Sequence, residues 1–222
     1  MTLKVIAHIH TAFPTKFGIP RQSGLADVPA RIVFEPEYRN ADALRGIEEY
    51  SHLWLIWQFS EAVRESWSPT VRPPKLGGNR RVGVFATRSP FRPNAIGLSS
   101  VRLHRVEYGT PEGAVLHISG ADLMDGTPIY DIKPYLAYTD SHPEASGSFA
   151  LAGDAVCVEC AEGVLDALPQ EKRETLLRVL AQDPRPGYQH EAGRVYGFPF
   201  GGFEVRFTVA DGVLTVLSAE KV

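Results

Sequence analysis

Four loop segments hold the side chains best able to do chemistry. RSPFRPNAIG (88–97) places Arg88 and Arg92 four apart around Pro90, with Pro93, Asn94, Ile96 and Gly97 following. The prolines fix φ and forbid a regular helix, so the segment is a stiff loop that aims two guanidinium groups. Cations held in set directions suit an anion: a carboxylate, a phosphate backbone, or a neighbouring aspartate. GADLMDGTPIYDIKPY (120–135) carries the acids. There Asp125-Gly126 makes a turn, Pro128 stiffens its exit, and Asp131, Lys133 and Tyr135 alternate on one face of a strand. An acid, a base and a phenol on one face read as a plain ion pair. Asp122, Asp125 and Asp131 within ten residues equally suit hydrogen bonds to the hydroxyls and amines of a ligand. FGIPRQSG (17–24) and RPPKLGGN (72–79) complete the set.

Charge is distributed unevenly around these loops. The net charge is −3, yet from Ser66 to Val106 there is no Asp or Glu. Arg72, Lys75, Arg80, Arg81, Arg88, Arg92, Arg102 and Arg105 fall in that stretch, leaving 15 of the 23 basic residues against 26 acids elsewhere. A solvated face explains scattered charge but explains a long one-signed stretch poorly. An acidic protein that gathers arginines in one region is suited to meet a polyanion there.

Several chemistries are excluded. KLGGNRRVG misses the G-x-G-x-x-G spacing and leads into a strand, the wrong context for dinucleotide phosphates. No Walker loop, G-x-S-x-G elbow or H-E-x-x-H helix occurs. Of the seven histidines only His8 and His10 stand at ligand spacing, and no third ligand accompanies them. His52, inside an apolar run, is expected as a hydrogen-bonded core residue. Cys157 and Cys160 form a C-x-x-C pair within AVCVEC, which alternates like a strand. Three strand steps put them about 10 Å apart on opposite faces, beyond disulfide reach, so two free thiols are expected.

The elements that must position the loops are mostly strands. LKVIAHIHTAF, ARIVF, VGVFATR, LSSVRLHRVEY and AVLHISGAD alternate, and SHLWLIWQF, apolar at both parities, reads as a strand buried on both sides. NADALRG suggests a short helix capped by Asn40 or Asp42. With many strands, few helices and no βαβ alternation, the main unit is a barrel-like β domain rather than a doubly wound sheet. After Tyr138 the stretch TDSHPEASGSFALAGDA marks a boundary. Beyond it VCVEC, a helix at PQEKRETLLRVLAQ with Leu176, Leu177 and Leu180 on one face, and strands at GFEVRFTV and VLTVLSA form a small α/β appendage. Its size, roughly seventy residues, is marginal for independent folding. No apolar run approaches a membrane span, and MTLKVIAHIHTAF lacks a signal-peptide pattern, so a cytoplasmic protein is expected.

IPRQSG, SHLWLIWQF, TVRPPKLGGNRRVGVFATRSPFRPNAIGLS and DLMDGTPIYDIKPY, in this order, closely resemble the bacterial TrmO family of tRNA methyltransferases with a TsaA-like domain. The resemblance spans about residues 4 to 140, and AQDPRPGY (181–188) resembles the family's C-terminal extension. It implies an antiparallel β-barrel TsaA-like domain over 4–140 that binds S-adenosylmethionine. It also implies a small C-terminal α/β domain over 150–222 with tRNA or dimer contacts, and a homodimer. The implied reaction moves a methyl group to the exocyclic nitrogen of threonylcarbamoyl-adenosine beside the anticodon of threonine tRNA. The family's cofactor contacts carry over to Pro20, Arg21, Gln22, Arg88, Leu98, Asp125, Gly126, Thr127 and Pro128, with a further pair at Ser60 and Glu61.

The residues are compatible with that transfer. Arg21 or Arg88 can clamp a carboxylate, Asp125 can accept from a ribose or amine, and the glycine turns admit backbone contacts to adenine. Arg72, Lys75, Arg80 and Arg81 suit the phosphates of an anticodon stem-loop, and Arg92 serves either its own loop or the RNA. The reaction needs no metal. The carbamoylated amine is a poor nucleophile, so assistance with its proton is expected, with Asp131 and Tyr135 as candidates. Two alternatives stand beside this reading: an RNA-binding module without catalysis, and a methyltransferase of the same fold with another substrate. The intact PRQ, ATR and DGTP segments favour an enzyme over the first, because RNA binding alone requires no cofactor pocket.

Overall fold

The computed structural model describes residues 2–73, 76, 80–147, 155–185, 191 and 193–222. In chain order the N-terminal part contains β1 (Ala7–His10), β2 (Pro29–Phe34), β3 (His52–Gln58), β4 (Thr70–Val71), β5 (Val82–Gly83), β6 (Ile96–Thr110), β7 (Gly113–Ser119) and β8 (Pro128–Pro134). A single helical turn, α1 (Ala137–Asp140), follows. The C-terminal part contains β9 (Cys157–Cys160), α2 (Gln170–Ala181), β10 (Tyr196–Phe200), β11 (Phe203–Ala210) and β12 (Val213–Lys221).

Six strands close into an antiparallel barrel in the order β1-β2-β7-β6-β3-β8, while β4 and β5 pair separately as a small ribbon. Strand alternation fills the interior: Ile9, Ile32, Leu53, Leu55, Leu116 and Ile129 all point inward and are fully buried. In β3 that inward set, Leu53, Leu55 and Trp57, leaves Trp54 and Ile56 half-buried on the outer face. The strand is therefore buried on one side, not on both. The same parity turns His52 outward, where it is exposed and bonded to Ser51 Oγ at 2.9 Å, so it is no core histidine. NADALRG forms 3-10 turns in place of an α-helix. Asn40 accepts from the Asp42 N–H, and Gly46, at φ 85°, interrupts the chain before a helix can propagate. VGVFATR pairs only at β5 and then becomes a 3-10 turn at Val84–Ala86.

The second unit is a four-stranded sheet, β10-β11-β12-β9, with β9 parallel to β12 and α2 against it. On α2, Leu176, Val179 and Leu180 are buried and Leu177 partly so. Cys157 and Cys160 are free and exposed. The mainly β class with a small α/β appendage is thus the observed architecture.

The core of the second unit is not confined to C-terminal residues. Phe13, Ala26 and Val28, from the long loop joining β1 to β2, pack into it with Phe198, Val205 and Phe207. Within that loop Gly18 has φ +89°, and a Cβ built there would stand 2.3 Å from a ring carbon of Phe198. Only glycine permits both the backbone turn and the ring's approach. The IPRQ segment is therefore placed by the C-terminal sheet.

Candidate active site

A cavity of about 310 Å³ lies where the IPRQ loop meets the barrel. Its walls include Pro20, Trp57, Phe59, Pro90, Phe91 and Met124, a flat and largely apolar slot. Trp57 and Phe59 form its aromatic side, with ring centroids 4.3 Å apart. The final glycine of PNAIG makes this possible: a Cβ at Gly97 would fall 2.3 Å from the Trp57 indole. Polar groups reach the slot from Lys16, Gln58, Ser60, Glu61, Asp122 and Thr127.

Asp122 is the acid with the least solvent among them. It sits between fully buried Ala121 and Leu123 and accepts from Ser99 Oγ at 2.5 Å, while Ser99 Oγ accepts from Trp57 Nε1 at 3.0 Å. Burial pushes its carboxyl above the ordinary aspartate range, opposed by the Ser99 hydrogen bond and the nearby positive charge of Arg88. A half-buried carboxylate held by a Trp–Ser relay, in an apolar slot, can balance a cation or accept a proton. Sequence reasoning grouped Asp122 with Asp125 and Asp131 but singled out the other two. The signal separating them is the apolar residue on each side of Asp122, which roots it in the barrel core.

The structure brings Pro20, Ser60, Glu61 and Thr127 together in the lining. Thr127 is buried, its Oγ1 donating to the Met124 carbonyl at 2.7 Å, and Lys16 Nζ donates to the Glu61 carbonyl at 2.8 Å. Gln22 and Arg88 do not line the slot but meet beside it, Gln22 Oε1 accepting from Arg88 Nη1 and the Arg88 charge reaching Asp122. The guanidinium of Arg21 instead donates to the carbonyls of Asp183 (3.0 Å) and Arg185 (2.9 Å) in the C-terminal DPR turn. Asp125 accepts from the Thr11 N–H at 2.9 Å and stands 3.5 Å from His10 Nδ1, closing the end of β1. Gly126, at φ +75°, bonds back to the Ile9 carbonyl, and Pro128 starts β8 opposite His8.

Leu98 lies on the outer barrel face, 57% exposed, across from Ile56. Asp131 shares that row and forms an ion pair with Lys133 at 2.9 Å, and Tyr135 packs on Trp54 at a centroid distance of 5.3 Å. None of Leu98, Asp131 or Tyr135 lines the cavity. Arg92 serves its own loop, donating to the carbonyls of Thr87 (2.7 Å) and Ser89 (3.4 Å). Arg72 and Arg80 are exposed, and Arg81 donates to Thr70 Oγ1 at 3.0 Å on the β4–β5 ribbon. Lys75 lies outside the described residues.

A larger cleft of about 600 Å³ opens between the barrel and α2, lined in part by His10, His104 and His117. These imidazoles are already engaged by Asp125, Ser119 and Glu107. Among the described residues no group of three potential ligands could hold a metal ion. The apolar slot is the candidate site.

Two family models cover the chain: the tRNA-methyltransferase O N-terminal domain over residues 8–141 and the TrmO C-terminal domain over residues 156–222. The chain belongs to the TrmO family. A tRNA (adenine(37)-N6)-methyltransferase of Escherichia coli (strain K12) is 42% identical over 226 residues, covering 97% of this chain and 96% of the relative. A Pseudomonas aeruginosa protein described as a putative S-adenosylmethionine-dependent methyltransferase is 43% identical, covering 91% and 90%. A crystal structure of TrmO from Pseudomonas aeruginosa superposes with a TM-score of 0.80 at 34% identity, covering 100% of this chain and 97% of that one. For a TrmO chain, the slot and the Gln22–Arg88 pair beside it are the parts of the fold that call for a chemical account.

Proposed function

We propose that this protein is an S-adenosylmethionine-dependent tRNA methyltransferase that modifies N6 of the adenosine at position 37, and that its substrate there is threonylcarbamoyl-adenosine in threonine tRNA. The observation that carries the reading is the slot itself, in which one half-buried acid faces largely apolar walls. The slot suits the cofactor. Its flat walls match an adenine ring, Asp122 can balance a cationic centre, and Arg88 with Gln22 beside it suits a carboxylate. Pro20, Ser60, Glu61 and Thr127 would line the bound cofactor. When bound, S-adenosylmethionine supplies a methyl group activated by its sulfonium.

The protein's own work is alignment, exclusion of water and management of one proton. The N6–H must be lost, and Asp122, the acid lining the slot with the least solvent, is the proposed acceptor of its proton. With Oδ1 held by Ser99, the proton goes to the other carboxylate oxygen. Asp131 is occupied by Lys133 and stands on the outer face, so the base role moves from Asp131 and Tyr135 to Asp122. Arg72, Arg80 and Arg81 take phosphates of the anticodon stem-loop, and Arg92 acts as the clamp of the proline loop. The C-terminal sheet supports the cofactor loop and adds tRNA or dimer contacts to a homodimeric, cytoplasmic enzyme. No helix among the described residues is long and apolar enough to cross a membrane.

Transfer of labelled methyl to threonine tRNA, with and without its threonylcarbamoyl group, tests the reading. Labelling of the modified tRNA alone is expected. Equal labelling of both would refute the dependence on prior modification. Failure to bind S-adenosylmethionine at millimolar concentration would remove the enzyme reading.

A further inference from the structure

Exposed rings cluster beside the slot. Trp67 is 51% and Phe85 73% exposed, and their ring centroids are 6.1 Å apart with planes inclined by 32°. They leave the same end of the antiparallel β4–β5 ribbon, Trp67 just before β4 and Phe85 just after β5. The neighbour of Phe85, Val84, is buried and its N–H bonds to the Pro69 carbonyl at 2.9 Å, so the backbone is fixed while the Phe85 ring faces outward. Phe91, a wall residue of the slot, is itself partly exposed and carries the Arg64 guanidinium 3.7 Å above its ring. The Arg92 guanidinium, held by loop carbonyls, lies 6.0 Å from the Phe85 centroid.

Single exposed apolar side chains are ordinary, but paired aromatic rings among arginines are not. No acid occurs from residue 66 to 106, so the segment that carries both rings has arginines and no acid of its own. A second copy presenting the same patch would oppose arginine to arginine, and apolar protein interfaces exclude charge from their centres. Single-stranded RNA supplies both complements at once, phosphates for the guanidinium groups and base faces for the rings.

We propose that Trp67 and Phe85 form a stacking platform for the unstacked bases that flank the target adenosine in a single-stranded RNA loop, continuous with the slot through Phe91. This rests on the reading of the protein as a tRNA-modifying enzyme. An adenosine drawn to the mouth of the cofactor slot leaves its neighbours without a stacking partner on one side, and the rings replace that partner.

The test uses the full-length protein with a synthetic anticodon stem-loop of threonine tRNA and a fully paired RNA of equal charge. Trp67→Ala and Phe85→Ala should each weaken stem-loop binding about five- to a hundredfold, as for the loss of one stacked base. The slope of log affinity against log salt and the affinity for the paired RNA should not change, because no phosphate contact is lost. Trp67→Phe and Phe85→Trp should restore most of the affinity. Tryptophan emission quenched by the stem-loop in the parent should lose that quenching in Trp67→Phe, which keeps Trp54 and Trp57. Variants that bind the stem-loop like a parent that methylates tRNA would overturn the platform and leave the enzyme intact. A parent that binds no tRNA would remove the underlying reading and the platform with it. Equal weakening on paired and unpaired RNA would also overturn the platform, as would altered self-association with unchanged RNA binding.

Discussion

The two walls of the slot rest on different foundations. The barrel wall, with Trp57, Ser99 and Asp122, grows from residues whose neighbours are fully buried in the barrel core. The opposite wall, with Ile19 and Pro20 and with Arg21 and Gln22 behind them, belongs to a long loop gripped by the C-terminal sheet. The acid proposed to take the proton thus stands on the wall rooted in the barrel core, and the groups proposed to recognise the ligand stand on a wall set by another unit. Precision of this kind is easier to build on strands than on loops.

The largest expected effect is on the barrel wall. Asp122→Asn preserves shape and the Ser99 contact but removes the base, and should lower the methyl-transfer rate about a hundred- to ten-thousandfold. Stability should move the other way. Because burial raises the native pKa of Asp122, its protonation favours the fold. That contribution is full below the unfolded value of about 4 and is lost as pH rises through the native value. At neutral pH the Asn variant should therefore melt no lower than the parent, by calorimetry. Loss of activity together with early melting would assign Asp122 to the scaffold.

Next comes the foundation of the loop wall. Phe198→Ala removes a buried ring that packs on Phe17, Phe200 and Phe207 and covers Gly18, and should cost about 3–5 kcal/mol. It should also weaken S-adenosylmethionine binding in titration calorimetry, although Phe198 lines no part of the slot. Phe207→Ala, in the same core but away from Gly18, should destabilise comparably and disturb the cofactor less. Equal effects of the two on affinity would break the link between sheet and loop.

Arg21 and Arg88, both candidate carboxylate clamps, should then separate. Arg88→Ala should lose about 1.5–3 kcal/mol of cofactor binding, roughly ten- to a hundredfold in Kd, with melting close to the parent. Arg21→Ala should do the reverse. Its bonds to Asp183 and Arg185 are partly in solvent, so melting stability should fall by about 1 kcal/mol with a smaller change in Kd. The smallest effect belongs to the basic stretch. Arg80→Ala with Arg81→Ala should flatten the salt dependence of tRNA binding by up to about one unit of slope per lost phosphate contact.

Much of this was legible in the sequence wherever strict alternation met a closed core, as in β1, β2, β7 and the ends of the appendage. Legibility failed where short-range rules were decided by distant partners. β10 carries Gly197 and Pro199, which punctuate it into an apparent loop, yet it pairs with β11 as an edge strand, where proline is tolerated. The aspartates were identifiable as a group but not in direction. Asp125 is turned to β1 by Thr11, more than a hundred residues away, and Asp131 is taken by Lys133. Arg21 was legible only as a possible carboxylate clamp, and its engagement with carbonyls 162 and 164 residues later leaves no trace in local pattern.

The interleaving of Phe13, Ala26 and Val28 with the C-terminal core has a consequence for dissection of the molecule. Cutting the connection between residues 141 and 155 should not release two independent pieces. The N-terminal fragment would hold part of the C-terminal fragment's interior, so the pair should elute as one particle from a sizing column. The fragment ending at 141, made alone, would present bare apolar side chains and a cofactor loop without its backing, and should aggregate until the missing sheet is added in trans. Reassembly of this type would make cofactor binding a reporter of fragment association.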